Sequence, residues 1–345
     1  MRRDDGSYDS YGSCCIVGKM RDLFPGVLFT LLLAFIAYLL GGYFPLLGGA
    51  VIGILLGVFI NNVFHVPSVF YNGIDFVMKK ILKLAIMLLG FSFQFTDILN
   101  VGKSSLVIVL FSVISGLMFT YFIGILLGLR GNTSLLIGSG TAICGSTAIV
   151  TISPIIKAKE EELTYAVNTI FAFNVLAILI YPVIANLLQM TDVHFGIWAG
   201  AAIHDTSSVV AAGYAFSDEA GEVAIVVKLV RTLMLIPLAL LIALYYSMKN
   251  RGHVGERTKL RNMFPYFILI FVLVALLNSV FDIPATFSDS MTWLAKFFIV
   301  MVMVSVGLKT DVRKIKQVGF KPLVVGLIAS VLIGVISISL IYILV

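Results

Sequence analysis

Long apolar segments dominate this sequence and constrain its fold more than any other feature. A membrane-spanning helix needs about 20 mainly apolar residues, and about eleven segments approach that length. They lie near residues 23–43, 46–64, 68–93, 104–128, 132–156, 163–188, 194–215, 222–247, 263–281, 286–307 and 321–345. Only 12% of the 345 residues are charged, about half the share that covers a soluble domain. The sequence therefore predicts an all-α polytopic membrane protein.

Basic residues gather in the connections between the apolar segments, and this pattern sets orientation in a bilayer. The loops 248–262 and 309–321 each hold several Lys or Arg residues, so we expect both on the cytoplasmic side. Tracing back through the segments places the polar residues 1–22 in the cytoplasm as a tail that is followed by an uncleaved first span. The net charge of +6 is explained by these loops, and we expect no nucleic-acid partner. We therefore predict that the chain is a multi-pass protein of a bacterial inner membrane.

Two internal repeats bear on the architecture. A shift of 60 residues aligns the stretch from Gly140 with the stretch from Gly200 without gaps. A second match, which needs short gaps, relates Gly90 and its following residues to Gly307 and its following residues. Both repeats are interpreted as inverted copies, an architecture that recurs in transporters.

The orientation of the first repeat depends on how its two segments cross the membrane. If residues 132–156 and 194–215 are re-entrant hairpins, the copies are inverted and Lys157 and Lys159 lie on the cytoplasmic side. If both are ordinary spans, the copies point the same way. The hairpin interpretation is preferred, and a pair of unwound single crossings remains open.

The first candidate site lies in residues 138–149, which hold three glycines and four Ser or Thr hydroxyls. Such a segment favours an interrupted helix, because glycine lets the backbone unwind and short hydroxyls satisfy the freed polar groups. Free N–H groups at a helix start attract anions. Gly145, Ser146 and Thr147 are therefore candidate anion-binding residues. The alternative is close helix packing through small residues.

The repeat places a polar partner segment around His204 and Asp205, with Thr206 and Ser207 aligned to Ser146 and Thr147. Ionisable residues at membrane depth usually face a water-filled path, and histidine titrates near neutral pH. His204 and Asp205 are therefore candidates for ion coupling, and Thr206 and Ser207 for substrate binding. The alternative is a pair at the membrane interface that hydrogen-bonds a helix end.

Lys228 and Arg231 provide the clearest anion-binding signal. Their spacing puts both cations on one helical face, roughly 10–14 Å beyond Glu222 if the segment is helical. Two cations without an acid on the same short segment indicate a bound anion or a pairing with Asp205. Motifs for ATP, metal or serine-hydrolase chemistry are absent from the sequence, so we expect no cofactor, no metal and no catalytic residues.

The segments around Ala142–Ile149, Ile203–Ser208 and Lys228-x-x-Arg231 resemble the YeiH-type family of bacterial inner-membrane proteins, which are described as sulfate exporters. The similarity covers nearly all of residues 23–345. It implies membership of the superfamily that includes sodium/proton antiporters and bile-acid sodium symporters. Proteins of that superfamily have inverted repeats and discontinuous helices and often form dimers. It also implies sulfate or an organosulfonate as substrate. Ser207 and Ser208 stand where many members have Ala-Gln, so that position carries over no substrate preference.

The resemblance also implies a division of labour within one transmembrane unit. Scaffold helices would lie near 23–64 and 263–281, and core transport helices near 68–247 and 286–345.

The predicted function is secondary export of a small anion, coupled to protons or a cation, by a protein that is not an enzyme. The partners expected are the anion, the coupling ion, the lipid bilayer and a second copy of the chain in a homodimer. One alternative is an anion channel that uses the same cations. Another is an intramembrane hydrolase with Cys144 or a serine as nucleophile and His204 as base.

Overall fold

The protein is described by a computed structural model, and helices dominate the part of the chain that it describes. The described residues are 10–43, 48–129, 131–249, 265–281, 283–310 and 320–344. No β-strand occurs among them. The first helices are α1 (Ser10–Tyr43), α2 (Gly48–Phe64), α3 (Tyr71–Phe76), α4 (Leu82–Leu89), α5 (Phe95–Leu126), α6 (Thr133–Ala142), α7 (Ser146–Ile152) and α8 (Glu160–Leu187). The later helices are α9 (Asp192–Ala202), α10 (Thr206–Phe216), α11 (Asp218–Leu233), α12 (Leu235–Lys249), α13 (Tyr266–Val280), α14 (Ala285–Lys309) and α15 (Phe320–Leu344).

Six helical segments among the described residues are long and apolar enough to cross a membrane. They are Asp22–Tyr43, Phe95–Leu126, Glu160–Leu187, Asp218–Tyr246, Ala285–Lys309 and Phe320–Leu344. The apolar helices α2 and α13 are shorter, with 17 and 15 residues. The all-α class is thus confirmed for the described residues, which include these six candidate membrane spans, and the count of eleven membrane elements stays a prediction.

Part of the topology prediction falls outside the described residues. Residues 1–9 of the N-terminal tail, most of the loop 248–262 and residues 311–319 belong to this part. The helix α1 begins at Ser10, so residues 10–22 extend the first apolar segment as helix.

Two pairs of short helices fold back on themselves as hairpins. In the first, α6–α7, the Asn132 side chain donates a 3.3 Å hydrogen bond to the carbonyl oxygen of Ile156, which joins the two open ends. In the second, α9–α10, the rings of Phe195 and Phe216 lie 4.3 Å apart and join the open ends in the same way. The segments 132–156 and 194–215 are therefore each interrupted once and reverse direction.

The reversals occur where the sequence is least compatible with a helix. The inward legs end at Ala142 and Ala202, and the outward legs begin at Ser146 and Thr206, so both boundaries keep the 60-residue offset of the repeat. Gly145 has φ +64°, a left-handed conformation that a side chain would disfavour. We call residues 143–145 and 203–205 the two hairpin tips.

The hairpins contact opposite ends of the helical segment α11–α12. The Tyr246 hydroxyl, near the end of α12, donates a 3.2 Å hydrogen bond to the Asn132 side chain at the open end of the first hairpin. Gly196, in the first turns of α9, packs on the start of α11, where an added Cβ would lie 2.8 Å from the carbonyl oxygen of Ala220. The two hairpins therefore approach the middle of this segment from its two ends.

The apolar interior is divided into two clusters. One includes buried residues of α5–α9 and α15, and the other includes buried residues of α1–α4, α13 and α14. The helices α10 and α11 contribute to both, through Val209 and Val227 on one side and Val210 and Val226 on the other. This packing places α3, α4 and α14 beside α1, α2 and α13. The functional division into scaffold and transport helices stays a prediction.

The second repeat match coincides with two similar helix contacts. Gly307 on α14 packs against Gly57 on α2, where an added Cβ would lie 2.9 Å from the Gly57 Cα. Gly90 packs on α13 in the same close manner. Three residues after each glycine, a carbonyl oxygen accepts an asparagine hydrogen bond: Thr310 from Asn61, and Phe93 from Asn278. The Asp311 and Val318-Gly319 parts of the match lie outside the described residues.

Candidate functional site

The two hairpin tips contact each other in the interior of the protein. A Cβ added to Gly145 would lie 3.5 Å from the Asp205 Cβ and 3.5 Å from the carbonyl oxygen of His204. The residues predicted for the site from both copies of the repeat are thus brought together. Lys228 and Arg231, both 0% exposed, reach the same place from α11.

The ammonium group of Lys228 joins the two tips. It donates to the carbonyl oxygens of Ile143 and Ile203 at 2.9 Å each, and to that of His204. Carbonyl oxygens can only accept hydrogen bonds, so three of them require three N–H donors. A charged ammonium has three N–H donors and a neutral amine has two, so this arrangement suits the charged form of Lys228.

The guanidinium group of Arg231 makes the same kind of contact one turn further along α11. It donates to the carbonyl oxygens of Ala142 at 2.7 Å, Ile203 at 3.1 Å and Thr141. These acceptors lie at the C-terminal ends of α6 and α9, where the last carbonyls have no partner within the helix and carry partial negative charge. Both cations therefore stabilise the broken helix ends.

The predicted pairing of these cations with Asp205 is not among the salt bridges of the described residues. Those salt bridges join Lys296 to Asp218 and Lys309 to Asp75. Asp205 instead caps α10, accepting a 3.0 Å hydrogen bond from the backbone N–H of Ser207 and another from its hydroxyl.

His204 is 2% exposed and both of its ring nitrogens have partners. Nδ1 lies 3.1 Å from the carbonyl oxygen of Thr141, so it must carry a hydrogen, and Nε2 lies 2.8 Å from the Ser330 hydroxyl on α15. That hydroxyl is also 2.7 Å from the carbonyl oxygen of Gly326. A neutral His204 accepts from Ser330, whereas a protonated one donates to Ser330, which then donates to Gly326. Rotation of one hydroxyl therefore accommodates both protonation states.

The remaining predicted binding residues differ in accessibility. Gly145 is buried in its tip, and Ser207 is buried with its hydroxyl bonded to Asp205. Ser146 and Thr206 are half-buried at the first positions of α7 and α10, and Thr147 is exposed. The accessible hydroxyls are therefore those of Ser146, Thr147 and Thr206.

Three residues that were not named as binding or coupling residues hold the site together. Thr141 lies within the candidate segment 138–149, whereas Asn174 and Ser330 lie outside both candidate segments. Asn174 on α8 accepts a 3.1 Å hydrogen bond from the backbone N–H of Asp205. Thr141 supplies the carbonyl shared by His204 and Arg231, and Ser330 supplies the second partner of His204. Among the described residues, no group of three or more His, Cys, Asp or Glu side chains is placed to hold a metal ion.

Charges do not balance at the tips. The partial charges of the helix ends that meet here cancel in pairs, because two negative C-terminal ends face two positive N-terminal ends. Lys228 and Arg231 bring two positive charges, and residues 143–146 and 203–206 contain one acid, Asp205. The tips therefore carry about one excess positive charge in a buried position, where an unpaired charge is costly.

Comparison with known proteins identifies relatives along most of the chain. The family model described as "Conserved hypothetical protein 698" matches residues 25–326. A UPF0324 membrane protein of Clostridium tetani is 39% identical over 326 residues, covering 90% of this chain and 94% of the relative. UPF0324 membrane proteins of Fusobacterium nucleatum and Streptococcus pyogenes are 36% and 38% identical, over 93% and 92% of this chain and 98% and 96% of the relatives. No solved structure matches.

Proposed function

This chain belongs to the UPF0324 membrane protein family, and we propose that it is a secondary active transporter that exports a small anion. The observation that carries the proposal is the excess positive charge at the joined hairpin tips. A buried charge is stable when a counter-ion can reach it, and half-buried hydroxyls beside the tips give a small anion access. The similarity to YeiH-type sulfate exporters supports sulfate or an organosulfonate as the anion.

The two cations act on the anion mainly through their charge. All three N–H groups of Lys228 are directed at carbonyl oxygens, so direct hydrogen bonds to the anion must come from other groups. Gly145, Ser146, Thr147, Thr206 and Ser207 form the cradle in this proposal, at the starts of α7 and α10. Backbone N–H groups at the start of α7 and the accessible hydroxyls beside it would supply the hydrogen bonds to the anion.

His204 and Asp205 carry or gate the coupling ion in this proposal. The hydrogen bonds of His204 suit both of its protonation states, which is what a proton carrier needs. Asp205 is half-buried and next to the cradle, so a coupling cation bound at its carboxylate would change the charge that the anion meets. A proton or another cation is therefore the coupling ion.

Alternating access is supported by the approach of the hairpins from opposite ends of α11–α12. Inverted hairpins that meet near the middle of the bilayer can open a shared site to one side at a time. We propose that the two repeats are inverted and that the N-terminus is cytoplasmic in a bacterial inner membrane. We also propose that scaffold helices support a transport core in a homodimer, and that the protein has no enzymatic activity.

Counterflow in proteoliposomes tests the proposal. Purified protein is reconstituted with unlabelled sulfate or ethanesulfonate inside, and entry of the labelled anion is followed with and without an imposed pH difference. We expect counterflow that a pH difference drives against the anion gradient, and its loss in Lys228→Met. Flux that never runs against the electrochemical gradient of the anion would indicate a channel. Unchanged flux in Lys228→Met would show that the hairpin tips do not form the anion site.

His204→Gln and Asp205→Asn separate coupling from binding. Each should keep counterflow of the anion and lose its acceleration by a pH difference. If both variants remain driven by the pH difference, the coupling ion binds elsewhere.

A further inference from the structure

A cavity of about 430 Å³ lies apart from the hairpin tips, between α1 and α2 on one side and α10, α11 and α14 on the other. Its wall includes Tyr38, Tyr214, Asp218, Lys296, Ile299 and Val300. Tyr214 follows Thr206 by eight residues of α10, which is about 12 Å along a helix. The cavity is therefore near the open end of the second hairpin and distinct from the proposed anion cradle.

Two opposite charges stand side by side in the cavity wall. The Lys296 ammonium lies 2.8 Å from the Asp218 carboxylate, and the two side chains are 36% and 73% exposed. The ammonium also lies 5.4 Å from the centre of the Tyr214 ring. Both charges are accessible to a small molecule, and an exposed ion pair of this kind contributes little stability by itself.

Part of the cavity wall is apolar, and a buried polar group belongs to one of the lining residues. The Tyr214 hydroxyl is buried and has no hydrogen-bond partner among the described residues. Ile299 and Val300 make part of the wall apolar. A volume of this size with few polar groups is typical of small-molecule sites.

The arrangement of charges selects among ligand classes. A simple anion that approaches Lys296 also meets the Asp218 carboxylate. A simple cation that approaches Asp218 meets the Lys296 ammonium. We propose that this cavity binds a small zwitterion, with its anionic group at Lys296 and its ammonium group at Asp218. The inference goes beyond the anion site at the tips and does not depend on transport.

Trp293 provides a reporter for binding. Its indole N–H donates a 3.0 Å hydrogen bond to the hydroxyl of Tyr38 in the cavity wall. The chain has two tryptophans, so Trp198→Phe leaves Trp293 as the single tryptophan, which is excited selectively at wavelengths that tyrosine does not absorb. Purified protein in detergent is titrated with taurine and β-alanine as zwitterions, and with ethanesulfonate, propionate and propylamine as singly charged analogues. Calorimetry on the unmodified chain repeats the titration if Trp198→Phe fails to fold.

We expect saturable binding of the zwitterions, at least about tenfold tighter than that of each singly charged analogue. Lys296→Gln and Asp218→Asn should each weaken taurine binding about tenfold. The charge exchange Lys296→Asp with Asp218→Lys should restore affinity to within about threefold, because it keeps the pair and reverses its order. The matched control is a second ion pair of the described residues, Lys309 and Asp75, which has the same 2.8 Å length. Lys309→Gln and Asp75→Asn should leave binding unchanged.

Other outcomes overturn the proposal. Ethanesulfonate binding that Asp218→Asn strengthens would mark an anion site, and propylamine binding that Lys296→Gln strengthens would mark a cation site. Affinity that rises with the alkyl chain length of the ligand, and that is the same in Lys296→Gln and Asp218→Asn, would indicate a groove that binds lipid. Absence of saturable binding by fluorescence and calorimetry would show that the cavity has no such ligand.

Discussion

The ammonium group of Lys228 lies 2.9 Å from the carbonyl oxygen of Ile143, although 85 residues separate them in the chain. The same ammonium contacts the tip of the second hairpin, so one side chain of α11 fixes both tips. The charge that the proposed function needs is thus also the charge that holds the site together.

Replacement of Lys228 by methionine should therefore impair stability and transport together. Three buried carbonyl oxygens would lose their partner, which we expect to cost about 3–5 kcal/mol of unfolding free energy. Lys228→Arg should keep part of both properties, because it keeps the charge. Thermal unfolding in detergent and anion counterflow are measured on the same preparations, with Lys103→Met on the exposed surface of α5 as control. A stable Lys228→Met protein would contradict the contacts described here.

Removal of the Asp205 charge should strengthen anion binding. Asparagine can still accept from the Ser207 N–H, so Asp205→Asn keeps the cap of α10 and removes one negative charge near the proposed cradle. We expect an affinity increase of about fivefold. The concentration dependence of counterflow measures this, with Asp97→Asn as control, and weaker binding in Asp205→Asn would contradict it.

The opposite approach of the hairpins predicts opposite sidedness for the loops beside them. Lys157 follows the first hairpin and Gln189 precedes the second, and both are exposed. In a background without Cys14, Cys15 and Cys144, we expect a cysteine at 157 to react with a membrane-impermeant maleimide from the cytoplasmic side. A cysteine at 189 should react from the other side. Labelling of both from one side would rule out the inverted arrangement.

Cys144 lies at the first tip, buried and 3% exposed, where a hydrolase would need a nucleophile. The ring nitrogens of His204 contact Thr141 and Ser330. We therefore expect Cys144→Ala to retain at least about half of wild-type counterflow, since the change removes one small buried group. Ser305→Ala, a buried change on α14, is the matched control for packing. Complete loss of counterflow in Cys144→Ala, with normal thermal unfolding, would favour the alternative in which Cys144 is a nucleophile.

The contact between Gly57 and Gly307 should tolerate no side chain. A Cβ on Gly307 would lie 2.9 Å from the Gly57 Cα and from the Val58 nitrogen, so backbone would have to move. We expect Gly307→Ala to lower the unfolding free energy by about 1–3 kcal/mol. Gly102→Ala is the control, because the nearest atom to its Cβ is a Val230 methyl at 3.8 Å. Equal unfolding temperatures for the two variants would show that α2 and α14 pack differently.

Several features of the site could be predicted from the sequence because they depend on local chemistry. The glycine- and hydroxyl-rich segments predicted interrupted helices, and the 60-residue shift predicted equivalent interruptions in both copies. The depth and spacing of Lys228 and Arg231 predicted two cations on one face of a helix within the protein. These inferences use residue type and spacing, which the sequence carries directly.

The partners of those side chains could not be predicted in the same way. Lys228 and Arg231 bind backbone carbonyl oxygens, which every residue has, so no residue type identifies them as acceptors. Ser330 is a single hydroxyl in an apolar helix, where the common expectation is a bond to its own backbone. Its contact with His204 depends on how α15 packs against the tips, and that is a property of the tertiary structure.

The position of Lys228 in the chain has a consequence for biosynthesis. Both hairpins precede α11 in the chain. During synthesis, the two polar hairpin tips therefore enter the membrane before Lys228, which binds both of them, has been translated. Until then the carbonyls of each tip must be hydrated or held by the insertion machinery. Nascent chains that stop before residue 228 should consequently be removed by membrane quality-control proteases, whereas chains that extend past α11 can close the tips and persist.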